Sequence, residues 1–378
     1  MNVPVHARSE SDLDAAIYKI MRGSVPGLTI FVVTRDGVQW AKGFGVADIE
    51  ANTSASADTV YMWFSLTKLV TATCILQLVE DGRLRLDDPA LSHCGSIRVL
   101  RPTAWMEKIT IRHLLSHSSG IGNPIPIRWV HQRDTPPPSP SAFLQRQLKR
   151  NAKLHTPPGE TAKYSNLNYL VLGEIIASIA KQPYQEYVRE RVLSPLGMSR
   201  TDFLVTEAMR GLRATPYQKR WSFMTPIFRL ALPRWVFGNA SDGFVSLNPF
   251  YVDGPAYGGL IGSAKDAAVF LRAHLRGGEV AGNRILTPES VALMQQITAR
   301  GKTLDVALGW YRRTTQQHAW SLEHLGGGAG YFNVMRIYPD SGVGVLLMGN
   351  ATTYDYAAII DTVARYFFPE VAELEQHP

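Results

Sequence analysis

Residues 64–80 read FSLTKLVTATCILQLVE, and Lys68 is the one charged residue between Asp58 and Glu80. From Leu66 to Val79 the residues are otherwise uncharged and mostly apolar, and Gly82 then offers a stop. That pattern predicts a helix apolar on most of its faces, hence buried in a core. A lone ammonium in such a helix is costly unless something pairs with it or uses it. Ser65 lies three residues earlier, on the same face and one turn away. A hydroxyl at the start of a buried helix beside a desolvated lysine is an arrangement that makes serine a nucleophile.

Outward from this helix, Asp12–Arg22 reads as a short helix. Leu28–Thr34 and Val38–Phe44 read as strands flanking the hairpin signal Arg35-Asp36-Gly37. Between residues 83 and 250 the chain has more proline, longer loops and amphipathic helices at Ile111–Ser116, Ser141–Lys153, Asn166–Lys181 and Tyr184–Leu193. Pro136, Pro137, Pro138 and Pro140 mark a stiff surface loop. Ala264–Arg276 and Pro288–Ile297 read as helices. Strand signals return at Ala307–Arg313, Phe332–Ile337 and Val343–Met348, the last two joined by the turn Pro339-Asp340-Ser341-Gly342. Asp355–Phe368 closes the chain as a helix. Strands joined by short turns pair antiparallel, and the first and last groups can share one sheet. The expected fold is α/β in the α+β sense: an antiparallel sheet flanked by helices, with a helical lobe inserted. Residues 1–82 and 251–378 would form the sheet lobe, 83–250 the mostly helical one, and the site would lie between them.

The chain has 378 residues, 45% hydrophobic and 19% charged, which is ordinary globular composition. Its two cysteines, Cys74 and Cys94, argue against a disulfide framework, and Cys74 falls inside the buried helix. The opening MNVPVHARSESDLD has no apolar run behind its basic residue, so no secretory signal is expected and a cytoplasmic location is. No apolar window approaches the ~20 residues that span a bilayer. The net charge of +7 raises nucleic acid as a partner, but the basic residues are mostly scattered. The exception is Ala208–Ser241, which holds Arg210, Arg213, Lys219, Arg220, Arg229 and Arg234 without an acid. Tyr217, Trp221, Phe223, Phe228, Trp235 and Phe237 are interleaved with them. A lid over a substrate cleft, a lipid-facing patch and a solvated face with aromatic anchors all fit this composition, and nucleic-acid binding fits it least. No metal-ligand spacing and no dinucleotide loop is present, so neither metal nor cofactor is expected.

Ser-x-x-Lys is a weak pattern by itself, and it recurs at Ser178…Lys181. The second copy ends an amphipathic helix, where a lysine has an ordinary capping role. Two later elements distinguish the first copy. Tyr164-Ser165-Asn166 lies at a loop-to-helix junction, with Asn166 placed to cap the helix and Tyr164 to face Lys68 and Ser65. An adjacent ammonium would lower the phenol pKa from its usual ~10. Tyr331-Phe332-Asn333 matches the same bare pattern, but its β-like run after glycines reads as structural. His324-Leu325-Gly326-Gly327-Gly328-Ala329-Gly330 then lets backbone approach a substrate closely. One of its N–H groups, with that of Ser65, would form an oxyanion hole.

With these elements in order, the chain resembles the β-lactamase-fold serine hydrolases: class C β-lactamases, D-alanyl-D-alanine carboxypeptidases and family VIII carboxylesterases. Leu114-Leu115-Ser116-His117-Ser118-Ser119-Gly120 adds to the resemblance, which runs from about residue 12 to about 368. It implies an acylated nucleophile at Ser65, with Lys68 and Tyr164 sharing the proton transfers. Asn166 would hold Lys68 or a substrate carbonyl, and Ser65 N and Gly327 N would form the oxyanion hole. His324-Leu325-Gly326 departs from the Lys-Thr-Gly usual in the lactamases. Leu325 lacks the hydroxyl expected to help bind a carboxylate, and His324 is a weaker cation than lysine. Both changes point to a neutral small-molecule ester as substrate, with β-lactamase, D,D-peptidase, acyltransferase and amide-hydrolase activities and a non-catalytic role as alternatives. No Gly-x-Ser-x-Gly occurs, which argues against the α/β-hydrolase route to an esterase. The oligomeric state is open.

Overall fold

The computed structural model describes residues 9–95, 106–126, 128–151, 154–302, 305–314 and 320–369. The N-terminal and C-terminal strands share one antiparallel sheet. Its order is Ala299–Arg300, Asp305–Val306, Tyr311–Thr314, Trp320–Gly328, Tyr331–Tyr338, Val343–Gly349, Gly27–Thr34, Val38–Asp48, Thr53–Ser54. The register that joins the two ends of the chain runs from Leu28 opposite Gly349 to Thr34 opposite Val343. Both expected hairpins are present, around Arg35-Asp36-Gly37 and around Pro339–Gly342.

Helices cover both faces of this sheet. Glu10–Met21 and Tyr356–Phe367 lie on one face, where Leu13, Ile17, Ile359, Ile360 and Val363 meet Leu28, Ile30 and Val345. The first of these helices opens with a capping box between Ser9 and Asp12. On the other face, Phe270 and Leu271 of Ala264–Leu275 and Leu69 of Thr67–Glu80 join Phe31, Val33 and Leu346 in the larger core. The central strands Gly27–Thr34 and Val343–Gly349 are therefore buried on both sides, which explains their near-continuous apolar runs.

Thr67–Glu80 is buried from Thr67 through Leu78, as its largely apolar sequence, uncharged there apart from Lys68, implies. Most of its polar side chains donate to backbone carbonyls, while Gln77 Oε1 has no partner among the described residues. Thr71 donates to the Ala256 carbonyl at 2.7 Å, Thr73 to that of Leu69 at 2.9 Å, and Gln77 to those of Arg191 and Ile285. Cys74 and Cys94 are buried free thiols.

The middle of the chain carries the helices Ile111–Leu115, Pro140–Arg150, Asn166–Ala180 and Tyr184–Val188, the last running on into a wider turn at Arg189–Leu193. Residues 152 and 153, expected to end the second of these, lie outside the described residues. This region also holds strands that periodicity did not reveal. Tyr217–Lys219, Phe244–Leu247 and Phe237–Ser241 form a three-stranded sheet. Its tight turn is Asp242-Gly243, both at positive φ, as a two-residue hairpin requires. The expected strand Ala307–Arg313 is interrupted. Gly309, at φ 92°, turns the chain between Asp305–Val306 and Tyr311–Thr314. Among the described residues no helix is long and apolar enough to cross a membrane.

Candidate active site

Ser65 is presented by a tight turn. The strand Val60–Met62 pairs with Ile261–Ser263, Trp63 donates its N–H to the Leu260 carbonyl at 2.8 Å, and Leu66 donates to that of Trp63 at 3.1 Å. Between them Phe64 is forced to φ 46°. That left-handed conformation costs a bulky residue on the order of 1–3 kcal/mol, so the surrounding packing must hold it. The short 3₁₀ turn Phe64–Leu66 then leads into the buried helix and lifts Ser65 toward the cleft.

Lys68 is fully buried. Its Nζ lies 3.0 Å from Ser65 Oγ and donates to the Tyr257 carbonyl at 2.7 Å. The rings of Tyr164, Tyr257 and Tyr169 surround it at 5.0, 5.2 and 5.6 Å. Burial drives its pKa well below the ordinary lysine value. Burial thus favours the neutral amine, the form able to take a proton from the Ser65 hydroxyl 3.0 Å away.

Tyr164 Oη is 2.7 Å from Ser65 Oγ and donates to Asn166 Oδ1 at 3.1 Å. Burial raises the Tyr164 pKa above the usual tyrosine value, and the Ser65 hydrogen bond offsets only part of that rise. This reverses the expected direction. The lysine that was to lower the phenol pKa faces the ring rather than the hydroxyl, and has itself lost proton affinity. Tyr164 therefore starts as a proton donor. Asn166 also differs from expectation. It is the first residue inside Asn166–Ala180, with Ser165 at the cap position, and Asn123 Oδ1 accepts its N–H at 2.9 Å. The Asn166 side chain accepts from Tyr164, and the groups that hold Lys68 are Ser65 and Tyr257.

His117 and Tyr257 carry parts of the site that sequence reasoning did not assign. His117, at φ 55°, packs its ring 4.7 Å from that of Tyr164 and accepts the Ser165 N–H at 3.2 Å. It lies within the quoted Leu114–Gly120 stretch, so a signal was present. Tyr257 offers no local signal, because what it contributes is a backbone carbonyl 189 residues from Lys68.

The strand Trp320–Gly328 runs beside Ser65. A Cβ on Gly326 would stand 2.2 Å from the Trp63 carbonyl oxygen, and one on Gly328 would stand 2.4 Å from the Phe64 ring. Glycine is what permits this approach. Asn333, fully buried, ties the two segments by donating to the carbonyls of Met62 and Gly326 at 2.8 and 3.2 Å, a structural task. His324 is also fully buried, and burial with the nearby Lys68 pushes its pKa down to about 3. It is neutral at physiological pH, its Nδ1 2.9 Å from the Leu325 carbonyl. The Leu325 side chain packs with the cluster on the far face of the sheet, opposite Val334, because strand neighbours alternate. Leu325 nonetheless borders the cavity that Ser65, Tyr164 and His324 line. Both departures of the motif, His324 and Leu325, therefore border the cavity at the nucleophile.

Two cavities meet at the nucleophile, and Ser65 and Gly327 border both of them. One, of about 190 Å³, is walled by apolar side chains including Val130, Phe228, Leu232, Val236 and Phe250. The other, of about 840 Å³, is bordered by Tyr164, His324, Lys302, Arg312 and Arg313. Phe228, Leu232 and Val236 come from the aromatic and basic stretch noted in the sequence. Ser178, by contrast, lines a separate cavity with Lys181 and Glu174. Among the described residues no group of three or more His, Cys, Asp or Glu is placed to hold a metal ion.

This sheet-and-helix fold, with a serine and a buried lysine at the head of a core helix, defines a β-lactamase-fold serine hydrolase. The chain belongs to the beta-lactamase family, whose model matches residues 13–365. Protein flp of Staphylococcus aureus (strain MW2) is 32% identical over 228 residues, covering 58% of this chain and 43% of flp. The chain thus matches less than half the length of that relative. Penicillin-binding protein 4 of Amycolatopsis lactamdurans is 28% identical over 345 residues, covering 86% of this chain and 81% of the relative. Among solved structures, the octameric penicillin-binding protein homologue from Pyrococcus abyssi superposes with a TM-score of 0.78 at 24% identity. It covers 94% of this chain and 77% of the homologue. A β-lactamase/D-alanine carboxypeptidase from Pseudomonas syringae gives 0.72 at 18% identity, covering 98% and 99%. These two likenesses speak for the fold.

Proposed function

We propose that the protein is a serine carboxylesterase that cleaves short-to-medium acyl esters through an acyl-enzyme at Ser65. The supporting observation is the position of Ser65 and Gly327 between an apolar cavity and a polar one that Tyr164 borders. A leaving alcohol must depart toward a proton donor. The Tyr164 side is therefore the alcohol side, and the apolar cavity takes the acyl chain.

In acylation, Ser65 Oγ bonds to the ester carbonyl carbon and its proton passes to neutral Lys68. The carbonyl oxygen takes up negative charge against the N–H groups of Ser65 and Gly327. The ester C–O bond then breaks, and the leaving alkoxide takes the Tyr164 proton. The ammonium of Lys68 stabilises the phenolate left behind. In deacylation, that phenolate takes a proton from the incoming water. The water oxygen bonds to the acyl carbonyl carbon, the Ser65–acyl bond breaks to release the carboxylic acid, and Lys68 returns its proton to Ser65 Oγ. Each group ends as it began. Asn166 keeps the phenol aligned. The division into 1–82 with 251–378 and 83–250 belongs to the same proposal, since Ser65, Lys68 and Gly327 come from the first part and Tyr164 and Asn166 from the second.

A second reading, hydrolysis of an amide, peptide or β-lactam, is favoured by the long match to Penicillin-binding protein 4. Parallel assays of p-nitrophenyl butyrate and a chromogenic cephalosporin separate the two. Rapid turnover of the ester, with the cephalosporin slow or inert, is expected. Turnover confined to the cephalosporin would replace the first reading by the second.

A further inference from the structure

The helix Met224–Ala231 has two apolar faces. Phe228 and, just beyond the helix, Leu232 point into the acyl-side cavity, while Thr225 on the same side is buried against Gln218 and the Lys219 carbonyl. Phe223, Ile227 and Leu230 recur at intervals of four and three, which sets them on the opposite face. That face is open. Phe223 is 79% exposed, Ile227 49% and Leu230 85%, and Trp221 just before the helix is 86% exposed. A soluble surface has little reason to display two large aromatics and two aliphatics together.

The charge along this stretch is mostly basic, with Asp242 beyond it in the turn whose Gly243 carbonyl accepts the Arg220 N–H. Ala208–Ser241 contains no acidic residue. Arg210 is paired with Glu207, and Arg213 lies over the Tyr251 ring. Arg220, Arg229 and Arg234 remain exposed, and Arg220 stands over the Trp221 ring at 5.0 Å. An apolar helix face with arginines at its margin and an aromatic ring at its edge is complementary to an anionic bilayer surface.

We infer that Trp221, Phe223, Ile227 and Leu230 form a membrane-docking face for anionic lipid, with Arg220, Arg229 and Arg234 meeting headgroup phosphates. Docking is peripheral, with the helix lying in the interface. The face that docks and the wall of the acyl cavity are then two sides of one helix. Ile125, exposed and also bordering that cavity, extends the apolar rim. An ester dissolved in the bilayer would reach Ser65 from this side. The docking itself does not depend on the ester reading.

Sedimentation with vesicles tests it, using the full chain and a Ser65→Ala variant. The vesicles are phosphatidylcholine alone or phosphatidylcholine with about a third phosphatidylglycerol, enough to give an anionic surface. Both proteins are expected to partition onto the anionic vesicles, less so at high salt, and to leave neutral vesicles largely in solution. Arg220→Ser with Arg229→Ser should weaken partition about fivefold for each charge removed. Trp221→Ser with Leu230→Ser should nearly abolish it while turnover of a water-soluble ester is unchanged. Equal binding to both vesicle types, or binding that survives all four substitutions, would overturn the inference. So would a lipid-free dimer that Trp221→Ser with Leu230→Ser dissociates, since the face would then belong to a second copy of the chain.

Discussion

Lys68 donates to the carbonyl of Tyr257 at 2.7 Å, and burial lowers its proton affinity. A buried lysine paired with a carboxylate would stay charged. One held by a neutral carbonyl inside three tyrosine rings gives up its proton far more readily.

Two measurements follow for Lys68. Lys68→Met should lower kcat/KM by at least about 10²–10⁴-fold, the scale of a lost general base. Stability should also respond in a defined direction. In the window between its lowered folded-state pKa and ~10.4 in the unfolded chain, the unfolded state holds the extra proton. Lys68 therefore makes stability rise with pH across that window, by up to about 1.4 kcal/mol per pH unit. Urea unfolding of both proteins from neutral pH to ~10 should show this slope in the wild type relative to Lys68→Met. Parallel curves would show that Lys68 keeps its proton in the folded state.

The buried histidines predict acid lability. Burial holds His324 at about 3 and His274 at about 4, and His117 well below its ordinary value. As pH falls below ~6.5, the unfolded chain gains protons that the folded chain refuses, and stability drops. The loss continues down to the folded-state pKa values. Denaturation midpoints should fall steadily from pH 7 to pH 5, and His324→Gln should make the fall shallower by one histidine's share. An unchanged slope in that variant would place a charge on His324 in the folded protein.

Gly326→Ala tests the close approach of the strand to the nucleophile turn. The added Cβ meets the Trp63 carbonyl oxygen at 2.2 Å, so backbone must move. A stability loss of about 1–3 kcal/mol is expected. Activity should fall on the order of 10²-fold, as for a displacement of about 1 Å at a reacting centre. Calorimetry with ester kinetics reads both. Wild-type turnover would mean that the site tolerates a wider gap between the two segments.

The wall of the apolar cavity should set acyl length. Leu232→Trp fills the space and is expected to shift preference toward shorter acyl chains, with p-nitrophenyl acetate retained and longer esters lost. An unchanged profile across a p-nitrophenyl ester series would remove this cavity as the acyl site.

Much of the architecture was legible because it is local. The run from Leu66 to Val79, apolar on most faces and uncharged apart from Lys68, reads as a helix, and turn residues mark both hairpins. Ser65 with Lys68 and Tyr164 with Asn166 are short spacings, and both pairs converge. What escaped depends on distance along the chain or on which face a side chain takes. The Tyr257 carbonyl is such a case, and so is the His117 ring behind Tyr164. Tyr164 was assigned the wrong direction of pKa shift because burial, invisible in a tripeptide, outweighs the nearby amine.

Covalent capture of Ser65 is the most direct test. The protein is exposed to a fluorophosphonate, its intact mass is recorded, and the adduct is mapped by peptide sequencing. One adduct is expected, on the peptide containing Ser65, absent from Ser65→Ala and slowed in Lys68→Met. Labelling at another serine such as Ser178, or undiminished labelling of Ser65→Ala, would contradict the assignment of Ser65 as the nucleophile.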